Sequence, residues 1–230
     1  MKYQWLLFDA DETLFSFDDF AGLKKLFIDY DIQFSEQDYY EYKEVNKPLW
    51  TAYQEQKISA QTLKTERFSL WADKLGVSAN ELNSGFLNAM AQICAPLPGA
   101  LALLESLSSR VNMAIITNGF TELQQARLEN TGLKHYFQDV VISEEVGLAK
   151  PDVAIFEHTL AKLNHQDKAT VLMVGDNPHS DILGGMQAGI DTCWLNHHNK
   201  PVPDNIEPTY EVANLDQLRR LLLDDALTKA

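Results

Sequence analysis

Positive charge is scarce in this 230-residue chain: 19 lysines and arginines face 33 aspartates and glutamates, for a formal net charge of −14. A field of that sign disfavours nucleic acid as a partner, and no basic stripe is present to overcome it locally. Cysteine is nearly absent. Cys94 and Cys193 stand alone, neither in a C-x-x-C, which argues against a disulfide framework or a zinc cluster and leaves both as small buried hydrophobes. Long apolar runs are missing too: none approaches the roughly 20 residues of a membrane helix. Met1-Lys2-Tyr3-Gln4 leads straight into a strand instead of a signal peptide, so the expected compartment is the cytoplasm. Internal repeats and low-complexity segments are also lacking. What remains is an ordinary globular composition, 45% hydrophobic, of a length that fits one core with an inserted subdomain or two small domains.

Residues 4–9 read as a buried strand. Further strand candidates are residues 111–116, ending at Thr117; Val140-Val141-Ile142; residues 170–174, ending at Gly175-Asp176; and residues 192–195. Helical patterns lie between most of them. That alternation predicts an α/β fold with a mostly parallel sheet and helices on both faces. Thr121-Glu122-Leu123-Gln124 is a capping box, with Gly132 as the stop. Pro151 fits the first turn of a helix carrying Ile155, Phe156, Leu160 and Leu163, and Asn214 caps a last helix. The stretch 201–208 reads as a loop.

Between Phe15 and Pro96 the strand patterns vanish. Phe20, Leu23, Phe27 and Tyr30 are spaced for one helix face. Ser35 caps a second helix bearing Tyr39, Tyr42 and Val45, which Pro48 interrupts or kinks. Ser59 opens a third that runs through Leu63 and Trp71 to Gly76, and Ser78 caps a fourth with Leu82, Phe86 and Met90. The expected organisation is a core made of residues 1–15 and 96–230, interrupted by a helical module at 16–95.

Four motifs carry chemistry. In Asp9-Ala10-Asp11-Glu12-Thr13, two carboxylates at i and i+2 project the same way from an extended chain. Like charges so close are costly unless a cation or a shared proton offsets them, which is the pattern of a metal-assisted carboxylate nucleophile with an acid/base partner. Read blandly, it is an acidic strand-to-loop turn. Thr117-Asn118-Gly119 offers a hydroxyl, an amide and an exposed N–H suited to phosphate oxygens, but Asn-Gly is also a common turn. Lys150-Pro151 supplies a cation that could offset Asp9, although most lysines are simply solvated. Asp176 and Asp181 flank a turn and a helix start, where oxygen ligands suit Mg²⁺; Asp181 also serves as a first-turn acid against the helix dipole. Ligands of open α/β sheets bind at the carboxyl ends of strands. Asp9, Thr117 and Asp176 all fall at such ends, and their conjunction is far more specific than any one motif.

The series D-x-D-x-T, T-N-G, K-P and G-D-x-x-x-S-D resembles the haloacid dehalogenase-like (HAD) superfamily, specifically its phosphatases. The resemblance covers the whole chain, including a helical cap inserted after the first motif. Residues 9–13, Val45-Asn46-Lys47-Pro48-Leu49-Trp50 and Ile142-Ser143-Glu144-Glu145-Val146-Gly147 look like bacterial pyrimidine 5′-nucleotidases. It implies a Rossmann-like core with the first strand central. It also implies hydrolysis of nucleoside 5′-monophosphates, with UMP, dUMP and dTMP preferred. Asp9 would be the nucleophile and Asp11 the acid/base. Thr117, Asn118 and Lys150 would hold phosphoryl oxygens. Mg²⁺, for which Mn²⁺ could substitute, would sit on Asp9, the Asp11 carbonyl and Asp176, with Asp181 ordering its surroundings. In the cap, Asn46, Lys47, Trp50 and Tyr53 are candidates for reading the base, with Phe120 below them; aromatics at helical spacing are otherwise core. Trp5, Trp71 and Trp194 are assigned to the core, and His135, His158, His165, His197 and His198 to the surface or helix ends. His179 has at most a lining role.

Rival readings are a sugar-phosphate or phosphoglycolate phosphatase, a 2-haloacid dehalogenase, a non-catalytic binding protein, and a regulator that keeps its acyl phosphate. Asp11 argues against the dehalogenase, whose leaving halide needs no proton. The presence of Asp9, Asp11, Asp176 and Lys150 argues against a mere binder. The expected partner is a small phosphate ester, with no nucleic acid and no membrane; monomer and homodimer are equally open.

Overall fold

The computed structural model describes residues 2–224. Along the chain, β1 (Trp5–Phe8) is followed by α1 (Asp19–Ile28), α2 (Glu36–Gln54), α3 (Ala60–Glu66), α4 (Ser69–Leu75) and α5 (Ala79–Ile93). Then come α6 (Ala100–Leu107), β2 (Asn112–Thr117), α7 (Thr121–Thr131), β3 (Asp139–Ile142), α8 (Ser143–Val146) and α9 (Val153–Lys162). The chain continues with β4 (Val171–Gly175), a π-helical turn (Pro178–Ile182) running into α10 (Leu183–Ala188), β5 (Asp191–Leu195), β6 (Tyr210–Val212) and α11 (Leu215–Leu223).

Contacts divide the chain into two compact units. The core unit comprises Met1–Ser16, Ala95–Asn118 and Thr131–Ala230; the helical unit comprises Phe17–Cys94 and Gly119–Asn130. The sequence placed residues 119–130 in the core. Their grouping with the helices has a visible reason in Phe120, whose ring lies 5.3 Å from that of Trp50.

The core unit is a six-stranded sheet of order β3-β2-β1-β4-β5-β6, parallel at every pairing. β1 is wholly buried, as a central parallel strand covered on both faces should be. Alternation sends Trp5 and Leu7 of β1, Ala114 and Ile116 of β2, and Val171 and Met173 of β4 to one face, where they pack on Ile155, Phe156 and Leu160 of α9. β6 was not anticipated. It is a three-residue edge strand with only Val212 buried, so it carries no apolar run to announce it. α9 starts two residues later than Pro151 suggested: Asp152 is its N-cap, its side chain accepting from Ala154 N. Pro151 instead follows a cis peptide bond with Lys150.

In the helical unit, Ser35 caps α2 with both halves of a capping box in place. α2 runs unbroken through Pro48 for 19 residues, so that proline does not end the helix. The helix expected from Ser59 to Gly76 is two, α3 and α4, with a break at Arg67 and Phe68. There the i→i+4 pattern tightens, Phe68 N donating to Thr65 O at 3.2 Å. The break allows both Arg67 and Phe68 to be buried. Among the described residues, no helix is long and apolar enough to cross a membrane.

Candidate active site

The C-terminal end of β1 begins the site. Asp9 N continues the ladder by donating to Val174 O at 2.9 Å, so β1 and β4 deliver Asp9 and Asp176 side by side. The chain then turns sharply: Leu14 N and Phe15 N both donate to Ala10 O, and Glu12 N donates to Phe15 O. Glu12 sits in the left-handed region at φ 54°, which lets the turn close just after Asp11. Thr13 is fully buried, and its Oγ1 accepts from Asp176 N at 3.1 Å. The hydroxyl that ends the first motif therefore fastens it to the fourth.

Gly175 is required by close approach. A Cβ there would lie 2.2 Å from Asp181 Oδ2. After it, Asn177 caps the π turn, its Oδ1 accepting from His179 N and Ser180 N. This brings Asp181 back beneath the sheet end, where Asn177 N donates to its Oδ2 and Ser180 Oγ to its Oδ1.

Carboxylate oxygens of Asp9, Asp176 and Asp181 lie within 4.8 Å of one another. Lys150 joins two of them: Nζ is 2.6 Å from Asp9 Oδ1 and 2.7 Å from Asp181 Oδ1. Its third donor goes to Ile116 O at 2.7 Å, so all three N–H bonds of the ammonium are used. Burial alone would lower the Lys150 pKa, but Asp181 and Asp9 outweigh it and the ammonium is held above its ordinary value. Asp176 and Asp181 are both pushed up, chiefly by burial and then by neighbouring carboxylates, with Lys150 pulling the other way. Three carboxylates gathered around one lysine leave an excess of negative charge. A hard divalent cation with oxygen preference fits that donor set.

Each residue expected at the site from the sequence has a definite place. Asp9, Lys150, Asp176 and Asp181 converge. Asp11 is half-buried on the turn, and Thr117 is buried at the end of β2. The Asn118 side chain grips the Lys150 backbone, Nδ2 donating to Lys150 O and Oδ1 accepting from Lys150 N, both at 2.8 Å. What Asn118 does directly is hold the lysine in register. In the helical unit, Asn46, Tyr53 and Phe120 are buried, Trp50 is half-buried and Lys47 is exposed. Trp50 contacts the Tyr53 ring edge-on and the Phe120 ring at a tilt.

Two contributions escaped the sequence reading. His197 Nε2 donates to Glu12 O at 2.8 Å, steadying the turn that carries Asp11, and Trp194 Nε1 donates to Asp176 O at 2.9 Å. A cleft of about 510 Å³ beside Asp176 is lined by His179, Trp194, His197 and Lys200, among others. No local signal links His197 to Glu12; only β5 next to β4 brings them together.

A parallel sheet with an aspartate at the end of its central strand, a lysine bridging to a second carboxylate and a third acid one strand over is the arrangement of a HAD-type hydrolase. The model of haloacid dehalogenase-like hydrolases matches residues 3–189, and the chain belongs to that family. It is 51% identical over 222 residues to pyrimidine 5′-nucleotidase YjjG of Escherichia coli (strain K12), covering 96% of this chain and 99% of that one. It is 38% identical over 240 residues to pyrimidine 5′-nucleotidase PynA of Streptococcus pneumoniae (strain ATCC BAA-255 / R6), covering 100% and 99%. Among solved structures, the HAD-hydrolase YfnB of Bacillus subtilis, bound to magnesium, superposes with a TM-score of 0.84 at 31% identity, covering 96% of this chain and 99% of that one.

Proposed function

We propose that this hydrolase removes phosphate from pyrimidine nucleoside 5′-monophosphates, UMP, dUMP and dTMP foremost, with Mg²⁺ as cofactor. The observation that carries the reading is the Asp9–Lys150–Asp181 chain, with Asp176 in the same 4.8 Å cluster. The pyrimidine choice is supported by relatives that bear that activity in their names.

Asp9 Oδ attacks phosphorus. The bond from Asp9 Oδ to phosphorus forms, giving an acyl phosphate, as the bond from phosphorus to the 5′ oxygen breaks, and the departing alkoxide takes a proton from Asp11. Asp11, now ionised, removes a proton from the water that attacks the acyl phosphate, which restores Asp9 and releases inorganic phosphate. Splitting the reaction in two lowers a barrier that is among the highest in biology. Lys150 holds Asp9 in place through the 2.6 Å contact of Nζ with Oδ1. Thr117 and Asn118, at the end of β2, supply donors toward the phosphoryl oxygens, where preorganised dipoles act at low cost. Asp9, the Asp11 carbonyl and Asp176 would hold Mg²⁺ with Asp181 ordering the surroundings; when bound, it neutralises charge on the phosphoryl group. The core unit does the chemistry. The helical unit reads the base through Asn46, Lys47, Trp50, Tyr53 and Phe120.

The test is phosphate release across nucleoside monophosphates and small sugar phosphates with Mg²⁺, with Asp9→Asn as the comparison. Turnover confined to pyrimidine nucleotides, and lost in Asp9→Asn by a factor on the order of 10³ or more, is the expected result. Preference for sugar phosphates would keep the chemistry and remove the substrate. Substantial turnover by Asp9→Asn would remove the covalent route.

A further inference from the structure

Four buried side-chain atoms have no hydrogen-bond partner among the described residues: Tyr42 Oη, Asn46 Oδ1, Gln124 Nε2 and Arg219 Nε. The first three belong to the helical unit. Orphaned polar groups are uncommon in protein interiors and call for an explanation. Asn46 is 7% exposed and Gln124 0%, so bulk water does not satisfy them.

These groups lie around one spot. Ser84 of α5 donates to Glu122 of α7, and Asn130 of α7 donates to Ala91 O of α5, so α5 and α7 run parallel. Tyr42 of α2 meets Phe86 of α5, ring centroids 6.5 Å apart, while Trp50 of α2 meets Phe120 just before α7 at 5.3 Å. α2 is therefore antiparallel to α7. Asn46 lies one turn before Trp50 and Gln124 one turn beyond Phe120, which puts both amides on the same side of the Trp50–Phe120 contact. Arg67 fills in beside them: its guanidinium is 5.1 Å from the Phe86 and Phe120 ring centres. It donates twice to Asn83 Oδ1, at 3.0 and 2.5 Å. Arg67 has no carboxylate partner among the described residues, and burial lowers its pKa.

The orientation of Gln124 is fixed by chemistry. Arg127 Nε and Nη2 both point at Gln124 Oε1, at 2.9 and 2.6 Å. A guanidinium only donates, so the oxygen must face it and the NH₂ must face away. Gln124 thus presents an unmatched donor, and Asn46 an unmatched acceptor.

We propose that Gln124 Nε2 and Asn46 Oδ1 read the imide edge of uracil or thymine: the NH₂ donates to the O4 carbonyl and the amide oxygen accepts from N3–H, with the Trp50–Phe120 pair as apolar wall. Resting on the nucleotidase reading above, it assigns the base subsite to a pair that includes one residue, Gln124, outside the residues first suspected. Cytosine carries the opposite pattern, an amino donor at position 4 and an acceptor at N3, and leaves both amides unmatched. Arg67 is a positioning residue that braces the Phe86 and Phe120 rings.

The experiment measures kcat/KM of the full chain with Mg²⁺ on UMP, CMP, 3-methyluridine 5′-monophosphate and ribose 5-phosphate. The wild-type protein should favour UMP over both CMP and the N3-methylated nucleotide by at least about tenfold. Gln124→Glu can still face Arg127 with one oxygen but offers an acceptor with the other. It should shift the UMP-to-CMP ratio toward CMP by about tenfold or more, and Asn46→Leu should erode the same ratio. Wild-type activity within about twofold on UMP, CMP and the N3-methylated nucleotide would overturn the assignment without any variant having to fold. So would variants that lower UMP and CMP turnover alike, since a merely structural role leaves the ratio unmoved. Release from ribose 5-phosphate but from none of the three nucleotides would overturn it differently, by removing the nucleotidase reading beneath it.

Discussion

Asp176 bears the electrostatic strain of gathering carboxylates in one place. Burial, reinforced by Asp9 and Asp181, pushes its carboxyl up to about 8. An aspartate in an unfolded chain titrates near 3.9. Between roughly those two values the metal-free folded protein keeps a proton that the unfolded chain has released, so this group's contribution to stability falls as pH rises and levels off only above the folded pKa. Asp176→Asn removes the titration while nearly preserving shape. In a chelator, the variant should melt higher than the wild type at about pH 8, and the difference should shrink toward about pH 4, where both side chains are neutral. On the proposed function, Mg²⁺ should reverse the order by supplying the missing counter-charge, raising the wild-type melting temperature most at high pH and doing little for the variant. Thermal melts with and without Mg²⁺ across that pH range check both signs. A variant less stable than wild type in chelator at high pH would mean the cluster is already well compensated by Lys150.

At the scale of elements, the join between β4 and the π turn controls the site. A methyl group on Gly175 would sit 2.2 to 2.5 Å from three atoms of Asp181. Asp181 has no slack, since Lys150, Ser180 and Asn177 all hold its carboxylate. Gly175→Ala should therefore cost about 1–3 kcal/mol by chemical denaturation and reduce turnover by a factor on the order of 10² through misplacement of Lys150 and Asp9. Full activity with unchanged stability would show that the turn can yield. This element was legible beforehand because residues 170–174 form a bounded apolar run ending in a glycine and an acid; β1 and β2 were legible for the same reason. β6 was not, because Tyr210-Glu211-Val212 buries one side chain at a sheet edge. The break between α3 and α4 was hidden because apolar spacing from Leu63 to Trp71 reads as continuous helix, while what breaks it is the long-range burial of Arg67 against rings from α5 and residue 120. The site itself was half legible. Asp9, Asp11 and Asp176 stand at strand ends, where chemistry is expected. The grip of Asn118 on Lys150 and of His197 on Glu12 joins residues 32 and 185 positions apart, and no spacing rule connects such pairs.

On the scale of the whole molecule, a net charge of −14 opposes the approach of a phosphate dianion. Lys150 does not cancel that field at a distance, since Asp9 and Asp181 already match it, and the proposed divalent ion would offset only part of the total. Long-range repulsion and short-range attraction respond differently to salt, because the Debye length shrinks from about 30 Å at 0.01 M to about 8 Å at 0.15 M. Added salt should therefore screen the repulsion felt during approach while leaving the buried contacts at the phosphoryl group nearly intact. With Mg²⁺ kept saturating, so that weaker metal binding does not enter, kcat/KM for UMP should rise severalfold over about that range, mostly through KM. Initial rates at a series of NaCl concentrations measure it. A flat or falling dependence would mean that the local field of Lys200, which lines the same cleft as Asp176, already outweighs the global charge; removing Lys200 should then restore the rise with salt.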